Sequence, residues 1–391
     1  MAVPRLGRRA APAAAVNPPA SVRGTLIGMV STSYPRGADD WAGGFVRERV
    51  RTLVAAGARI EVVAAGSPGD RAAVSPETGV EVLRVSAPAL GDHPLFYGAG
   101  APEMLEAAGP MALVAALGFV ARMAAAVATQ ASRWHSVESH WLAPCALLAS
   151  AIAPGRPHRA FAHGGDVALL ERIPGGRALA RHLAAKGVAL TFASSDLHLR
   201  FARLCGVRPE ALGAMVEPAR FDSTLFRPLR PVDRAALRRG LNCTGPVVLA
   251  VGRLVPVKGF DLLVRAVGRL PRSRRPTLVV IGEGPERARL IAMAADRGVS
   301  LRLPGGLAPT EVAAWMGAAD LYVQPSRTLR SGRSEGSPLA VREALAVGVP
   351  AVACAVGGLI ELARSSDVHL VAPEQPAALA AAISALLRYS A

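Results

Sequence analysis

Apolar residues along this chain fall into two alternating textures. Short β-rich runs at residues 25–30, 60–64, 81–85, 159–162 and 190–193 are separated by Ala- and Leu-rich stretches such as 45–56 and 177–186, which predict helices. Strands alternating with helices imply a parallel sheet covered on both faces. The segment Phe226-Arg227-Pro228-Leu229-Arg230-Pro231 carries two prolines and breaks the rhythm as a linker. The alternation then restarts, with strands at 247–251, 277–281, 321–323 and 351–353 and helices at 261–270, from 285, from 338 and near 376–388. The pattern predicts an α/β protein of two doubly wound, Rossmann-like parallel-sheet domains, residues 23–230 and 231–391, facing each other across a cleft. Ligands of such sheets bind beyond the carboxyl ends of the strands, so the loops after strands are where chemistry is sought.

Two stretches fall outside this rhythm. Residues 1–22 are rich in Ala, Pro and Arg, lack a continuous apolar core, and predict a disordered lead-in rather than a signal peptide. The longest apolar stretch, residues 110–129, is interrupted by Arg122 and thick with Ala and Gly. It predicts a buried helix rather than a membrane span.

Composition narrows the picture. With 51% hydrophobic residues in 391, the chain must bury a large core, which excludes general disorder. Four cysteines lie far apart without a C-x-x-C pair, which excludes a disulfide scaffold and fits a reducing cytoplasm. The net charge of +16 first suggests nucleic acid or a membrane surface. It is spread evenly, however: residues 1–230 hold 25 basic and 17 acidic side chains, and the rest 20 and 12. No run interleaves basic with aromatic residues, so nucleic acid is not an expected partner. Arg269, Arg272, Arg274 and Arg275 read as a solvated loop. A peripheral contact at the inner face of the cell membrane stays open.

Three loops of the second half carry the candidate chemistry. Gly252-Arg253-Leu254-Val255-Pro256-Val257-Lys258-Gly259 runs from a strand into a helix, and its two cations can clasp one diphosphate from two sides. Lys258 is one of only two lysines against 43 arginines, so its identity calls for a chemical reason. Ser334-Glu335-Gly336-Ser337-Pro338-Leu339 opens another helix, with Ser337 suited to the N-cap and Pro338 to the first turn. Free N–H groups there make an anion site. Glu335 before the helix and Glu343 on its second turn are placed to grip two hydroxyl-bearing parts of one ligand. Gly282-Glu283-Gly284-Pro285 allows close backbone approach. The arginines Arg327, Arg330 and Arg333 lengthen the loop before Glu335, which should face the cleft and an anionic group.

Together these runs resemble the retaining glycosyltransferases of family 4. The match includes Gly252–Gly259, Gly282–Pro285, Ala319-Asp320-Leu321-Tyr322-Val323-Gln324-Pro325-Ser326, the E-x(7)-E pair Glu335 and Glu343, Gly348-Val349-Pro350 and Gly357-Gly358-Leu359-Ile360-Glu361. In the first half, Gly43-Gly44, Glu138-Ser139-His140-Trp141 and Ala162-His163-Gly164-Gly165-Asp166 look like the family's acceptor-side landmarks. Ala219-Arg220-Phe221-Asp222 departs from the family's Asn-Gly-Val-Asp.

The resemblance implies the GT-B fold and transfer from a nucleotide-diphosphate sugar, the donor substrate, to a glycan or lipid-linked acceptor, with no further cofactor. Arg253 and Lys258 would neutralise the diphosphate. Glu335 would hold the transferred sugar, aided by the backbone of Gly336, Ser337, Pro338 and Leu339, and Glu343 would hold the ribose. His163, with the backbone of Gly43 and Gly44, would approach from the facing domain; His140 and Trp141 read as scaffold. No D-x-D metal motif occurs, so the two cations would stand in for a divalent ion. Two other readings compete. A sugar-nucleotide epimerase of the same fold would need acid/base carboxylates in the first domain, and none is distinctive. A non-catalytic basic membrane binder would not need the whole donor constellation.

Overall fold

The computed structural model describes residues 22–66, 73, 74, 77, 79–86, 89, 90, 93, 94 and 101–387. The expected lead-in, apart from Val22, and the end of the last helix at Arg388 lie outside these residues. The first body contains β1 (Leu26–Ser31), β2 (Arg59–Gly66), β3 (Ala73–Val74) and β4 (Val80–Ser86), a hairpin of β5 (Ala89–Leu90) and β6 (His93–Pro94), then β7 (Ser136–His140), β8 (His158–Ala162), β9 (Ala189–Phe192) and β10 (Met215–Val216). Apart from the hairpin they form one sheet in the order β10-β9-β8-β7-β1-β2-β4-β3, parallel except for β3 at its edge. The second body contains β11 (Val247–Val251), β12 (Thr277–Ile281), β13 (Leu301–Gly305), β14 (Leu321–Gln324), β15 (Ala351–Cys354) and β16 (Val368–Val371). Their order, β13-β12-β11-β14-β15-β16, is wholly parallel.

Both sheets reverse direction of strand order at their middle, at β1/β7 and β11/β14, which is the doubly wound GT-B architecture expected. The central strands are apolar because helices cover both faces: Val248, Ala250, Leu278 and Val280 sit in one core, Leu249, Val279 and Tyr322 in another. Phe226, expected in the linker, is instead buried in the second body's core, with Phe221 and Leu225 packed beside it. The chain therefore joins the second body ahead of the proline-rich segment.

The helices of the first body are α1 (Gly44–Ala55), α2 (Ala101–Gln130), α3 (Leu147–Ile152), α4 (Gly165–Arg172), α5 (Gly176–Ala185) and α6 (Ser195–Cys205). Those of the second are α7 (Pro231–Gly240), α8 (Phe260–Gly268), α9 (Arg287–Arg297), α10 (Pro309–Ala318), α11 (Leu339–Val347), α12 (Gly358–Ser365) and α13 (Pro376–Leu386).

One helix departs from expectation. The apolar stretch at 110–129 does form a helix, within α2, but it is not a buried one. Phe119, Met123 and Val127 pack fully on the sheet, at the i, i+4, i+8 spacing of a single helical face. Val114 and Leu117 are 64% and 61% exposed, and only 22% of the Val114–Arg133 window is buried. Alanines fill its outer face, so a composition that suits a core helix here clothes a surface. By length and composition α2 is also apolar enough to cross a membrane.

Candidate functional site

The donor-side residues gather at the carboxyl ends of β11, β14 and the start of α11. Lys258 ends a single 3-10 turn, Pro256–Lys258, and Gly259 follows at φ +66, where a Cβ would meet the Pro325 carbonyl at 2.0 Å. Only glycine fits that left-handed, crowded position. The turn swings Lys258 Nζ to 2.7 Å from Glu335 Oε2, with both side chains largely buried.

Glu335 is held from a second side. Tyr322 Oη donates to Gln324 Oε1 at 2.8 Å, Gln324 Nε2 donates to Ser326 Oγ at 2.7 Å, and Ser326 Oγ donates to Glu335 Oε2 at 3.1 Å. An ionised carboxylate accepts only, so it fixes the donor direction of every link. Burial would raise the Glu335 carboxyl, but the Lys258 ammonium, its hydrogen bond, Ser326 and Arg253 outweigh this and hold it below its ordinary range. Arg253 thus acts on the same carboxylate.

Glu343 lies on α11 without comparable partners. Burial pushes its carboxyl up to about 7 against the opposing pull of Arg342. Arg342 donates to the Ala219 carbonyl and lies over the Phe221 ring, 5.5 Å from its centroid. The start of α11 differs from expectation by one residue: Pro338 is the N-cap, the helix begins at Leu339, and Ser337 does not cap it. A residue before proline is steered away from helical geometry, which carries Ser337 outside the helix. With no side-chain cap, the N–H groups of the first turn stay available to an anion.

The first body meets this site along the loops after β1 and β8. Gly43 is the N-cap of α1 at φ +78, where a Cβ would meet the Ser33 carbonyl at 2.6 Å, and α1 carries no acidic residue in its first turn. His163 follows β8. The Asp166 carboxylate, itself buried, accepts from the backbone N–H of Leu142, His163, Gly164 and Val167 at 2.8, 3.2, 2.9 and 3.0 Å. That explains the aspartate of the His-Gly-Gly-Asp run: it shapes the loop that presents His163. Burial raises the Asp166 carboxyl, against four lowering backbone bonds.

His140 and Trp141, expected as scaffold, touch His163 directly. His140 Nδ1 lies 3.0 Å from His163 Nε2, and the Trp141 and Phe45 rings lie 5.2 and 4.5 Å from the His163 ring. Burial pushes His163 down to about 3 and His140 well below the ordinary histidine range. Both rings are neutral at physiological pH. Beside them a small open recess is lined by Phe45, Arg49, His140, His163, Glu217 and Arg220. Arg49 in turn grips buried Glu138 through two bonds of 2.8 and 2.5 Å.

The two bodies touch through backbone at the site. A Cβ on Gly336 would meet the His163 carbonyl oxygen at 2.8 Å, while within the second body one on Gly358 would meet the Gly336 carbonyl at 1.8 Å. Nearby, the Glu361 carboxylate of α12 accepts from Ser195 N and Oγ, at the start of α6, at 2.6 and 2.9 Å.

One arginine of the loop before Glu335 turns out differently from expectation. Arg327 faces its own domain, 2.8 Å from Asp261 and 2.7 Å from Glu374, so it braces α8 against the loop rather than reaching the cleft. Arg275 likewise folds back onto the carbonyls of Leu270, Gly268, Arg297 and Gly298. Among the described residues, no three His, Cys, Asp or Glu side chains gather as a metal site.

Part of the chain matches known glycosyltransferases. Residues 234–390 match the family model described as glycosyl transferases group 1. The chain is similar to the GDP-mannose-dependent alpha-(1-6)-phosphatidylinositol monomannoside mannosyltransferase of Mycobacterium tuberculosis, 35% identical over 250 residues, 61% of this chain and 63% of that protein. It is also similar to the D-inositol 3-phosphate glycosyltransferase of Frankia alni, 38% identical over 181 residues, 43% of this chain and 42% of that one. Among solved structures, sucrose-phosphate synthase from Thermosynechococcus elongatus superposes with a TM-score of 0.68 at 21% identity, covering 92% of this chain and 89% of that one. The match thus spans about 63% of the mannosyltransferase's length and somewhat less than half of the inositol phosphate enzyme's.

Proposed function

With residues 234–390 identified as a glycosyl transferases group 1 domain within a GT-B protein, we propose that the chain is a glycosyltransferase. It moves a sugar from a nucleotide-diphosphate donor to a lipid-linked or glycan acceptor, with retention, in glycolipid or cell-surface polysaccharide synthesis. By its likeness to the mycobacterial enzyme, GDP-mannose is the first donor to try and a phosphatidylinositol mannoside the first acceptor. The observation that carries the reading is the meeting of Lys258 and Glu335 beside the uncapped start of α11.

The physics follows from where charge develops. Breaking the bond to the anomeric carbon loads negative charge on the departing diphosphate and positive charge on the sugar. Arg253, Lys258 and the free N–H groups at Leu339 and the residues after it stabilise the first, and preorganised electrostatics of this kind is usually the largest catalytic contribution. Glu335, kept ionised, accepts from sugar hydroxyls and sits near the developing cation. Glu343 accepts from the ribose. Gly43 and Gly44 offer backbone N–H groups at the start of α1, and His163 approaches the sugar or phosphates. No side chain is assigned as a nucleophile, so attack and departure share one face of the sugar. The cations take a divalent ion's role, and activity should persist in EDTA.

We place the enzyme in the cytoplasm, in peripheral contact with the inner face of the cell membrane, where a lipid-linked acceptor lies. The test is transfer of radiolabelled sugar from a panel of nucleotide-diphosphate donors, GDP-mannose first, to membrane glycolipid. Native protein should label lipid, and Lys258→Ala should not. Failure of the native protein to bind or turn over any donor would overturn the reading.

A further inference from the structure

His140 ends β7, is 2% exposed, and stacks on Phe161 at 4.7 Å with the rings 7° from parallel. Its Nδ1 lies 3.0 Å from His163 Nε2, so one of these two nitrogens carries the shared hydrogen. The two possibilities differ chemically. If His163 donated, His140 would carry its own hydrogen on Nε2. That atom is buried and has no hydrogen-bond partner. It also lies in the field of the Arg49 guanidinium, which opposes positive charge on His140. A buried N–H there would lose its hydrogen bond to water and point its positive end into a cationic field.

If His140 donates through Nδ1 instead, its Nε2 is a bare lone pair. It still lacks a partner, but the Arg49 field now stabilises it. The guanidinium is not free to move away: it is fixed by both bonds to Glu138 and lies over the Phe161 ring, 5.5 Å from the centroid. A second proton on either ring offers no alternative, since burial keeps both neutral.

We propose that His140 is a positioning residue that fixes His163 as its Nδ1–H tautomer, leaving a neutral hydrogen-bond donor on the edge of His163 turned away from His140. The functional use of that donor rests on the reading above, in which His163 faces the reacting sugar and diphosphate. Every group it would meet there can accept a hydrogen bond, and the diphosphate oxygens can only accept, so a fixed N–H serves both where a bare nitrogen would repel the diphosphate. Histidine free in water prefers the opposite tautomer, with hydrogen on Nε2. The assignment is therefore a departure that spectroscopy can see.

Long-range ¹H–¹⁵N correlation spectra of the full chain, labelled in histidine, read the tautomer directly at pH 7.5. The His163 signals are identified by their loss in His163→Gln. The native protein should show hydrogen on His163 Nδ1; hydrogen on Nε2 would overturn the proposal. His140→Phe keeps the ring stack without the donor and should return His163 to the Nε2–H form. His140→Asn, whose amide nitrogen occupies the place of Nδ1, should restore Nδ1–H; a His163 spectrum indifferent to both changes would also overturn it. Sugar transfer by His140→Phe should fall about tenfold in kcat, the worth of one neutral hydrogen bond, with recovery in His140→Asn. The spectra need no donor or acceptor. Absence of any transfer would count against the proposed function, while the tautomer is judged on the spectra alone.

Discussion

Lys258 Nζ donates to Glu335 Oε2 at 2.7 Å, so the cation assigned to the donor's diphosphate and the carboxylate assigned to its sugar hold each other across two loops. Removing one partner leaves the other as a buried charge without its main counter-ion, which typically costs about 3–5 kcal/mol. Lys258→Met and Glu335→Gln should each lower stability by roughly that order in urea titrations. The double variant should recover at least half of the loss, because neither charge is then left alone. All three should lose sugar transfer by about a thousandfold or more. Two additive stability losses would show that the pair is not coupled.

The chain from Tyr322 through Gln324 and Ser326 holds Glu335 from behind. Ser326→Ala leaves a buried amide N–H of Gln324 without an acceptor and takes one donor from Glu335, at a cost of about 1–3 kcal/mol. Turnover should fall about tenfold with little change in donor affinity, and Ser326→Thr should retain most of both. Unchanged kinetics in Ser326→Ala would remove this chain from the site.

If Glu343 holds the ribose as proposed, it links nucleotide binding to pH. Its carboxyl sits at about 7, so much of it is protonated at neutral pH. Ribose hydroxyls that donate to it favour the carboxylate, so binding should expel a proton. GDP affinity should therefore rise as pH increases from 6 to 8. Calorimetry in buffers of different ionisation heat should show proton release, and Glu343→Gln should abolish it. Proton uptake would place the ribose elsewhere.

Three histidines, His140 buried and His158 and His163 half-buried, tie stability to pH with a definite sign. His158 is pushed down to about 4 and His163 to about 3, while His140 lies well below its ordinary value, all chiefly by burial. Unfolded, each would protonate near pH 6.5, so acid favours the unfolded chain progressively from about pH 6.5 down to these folded values. Each such group contributes a slope of up to about 1.4 kcal/mol per pH unit in that window. Glu343 works in the opposite sense, since its folded form retains a proton up to about 7. Urea titrations at pH 7.5 and 5 should show the histidine effect dominating, with a shallower slope in His158→Gln. Equal stability at both pH values would contradict the burial of the histidines.

Val114 and Leu117 test the placement of α2. Charging exposed positions usually changes stability by no more than about 0.5 kcal/mol. Val114→Glu and Leu117→Glu should melt like the native protein, while weakening its sedimentation with anionic vesicles. A large drop in melting temperature would return this helix to the core.

The strand–helix alternation is legible because strands covered on both faces are apolar and end abruptly at glycine-bearing loops. Lys258 and Glu335 stand out for the same reason: charged residues in such loops lie at the carboxyl edge of a buried sheet, whereas Glu343 stands on the helix that follows. The chain Tyr322, Gln324, Ser326 also leaves a trace, since Tyr322 and Gln324, two apart on β14, share a face, but nothing in the spacing says that Ser326, just past the strand, meets Glu335. His140 is illegible as a partner of His163 because their meeting depends on β7 pairing with β8, where His140 lies opposite Phe161. Outward alanines and inward alanines read alike, which is why α2 misleads. Arg327 misleads differently: a cation after a strand suggests the cleft, but Asp261 and Glu374 lie behind it.

Gly336 against the His163 carbonyl leaves no room for a side chain on that seam. At that point the spacing between the two walls of the cleft is set by a main-chain contact, flanked by the Leu197 side chain and the Glu361–Ser195 bonds. Residues lining either wall are then free to diversify toward another sugar or acceptor while the register between the halves stays the same. A lineage built this way can change its chemistry's customers without rebuilding its frame.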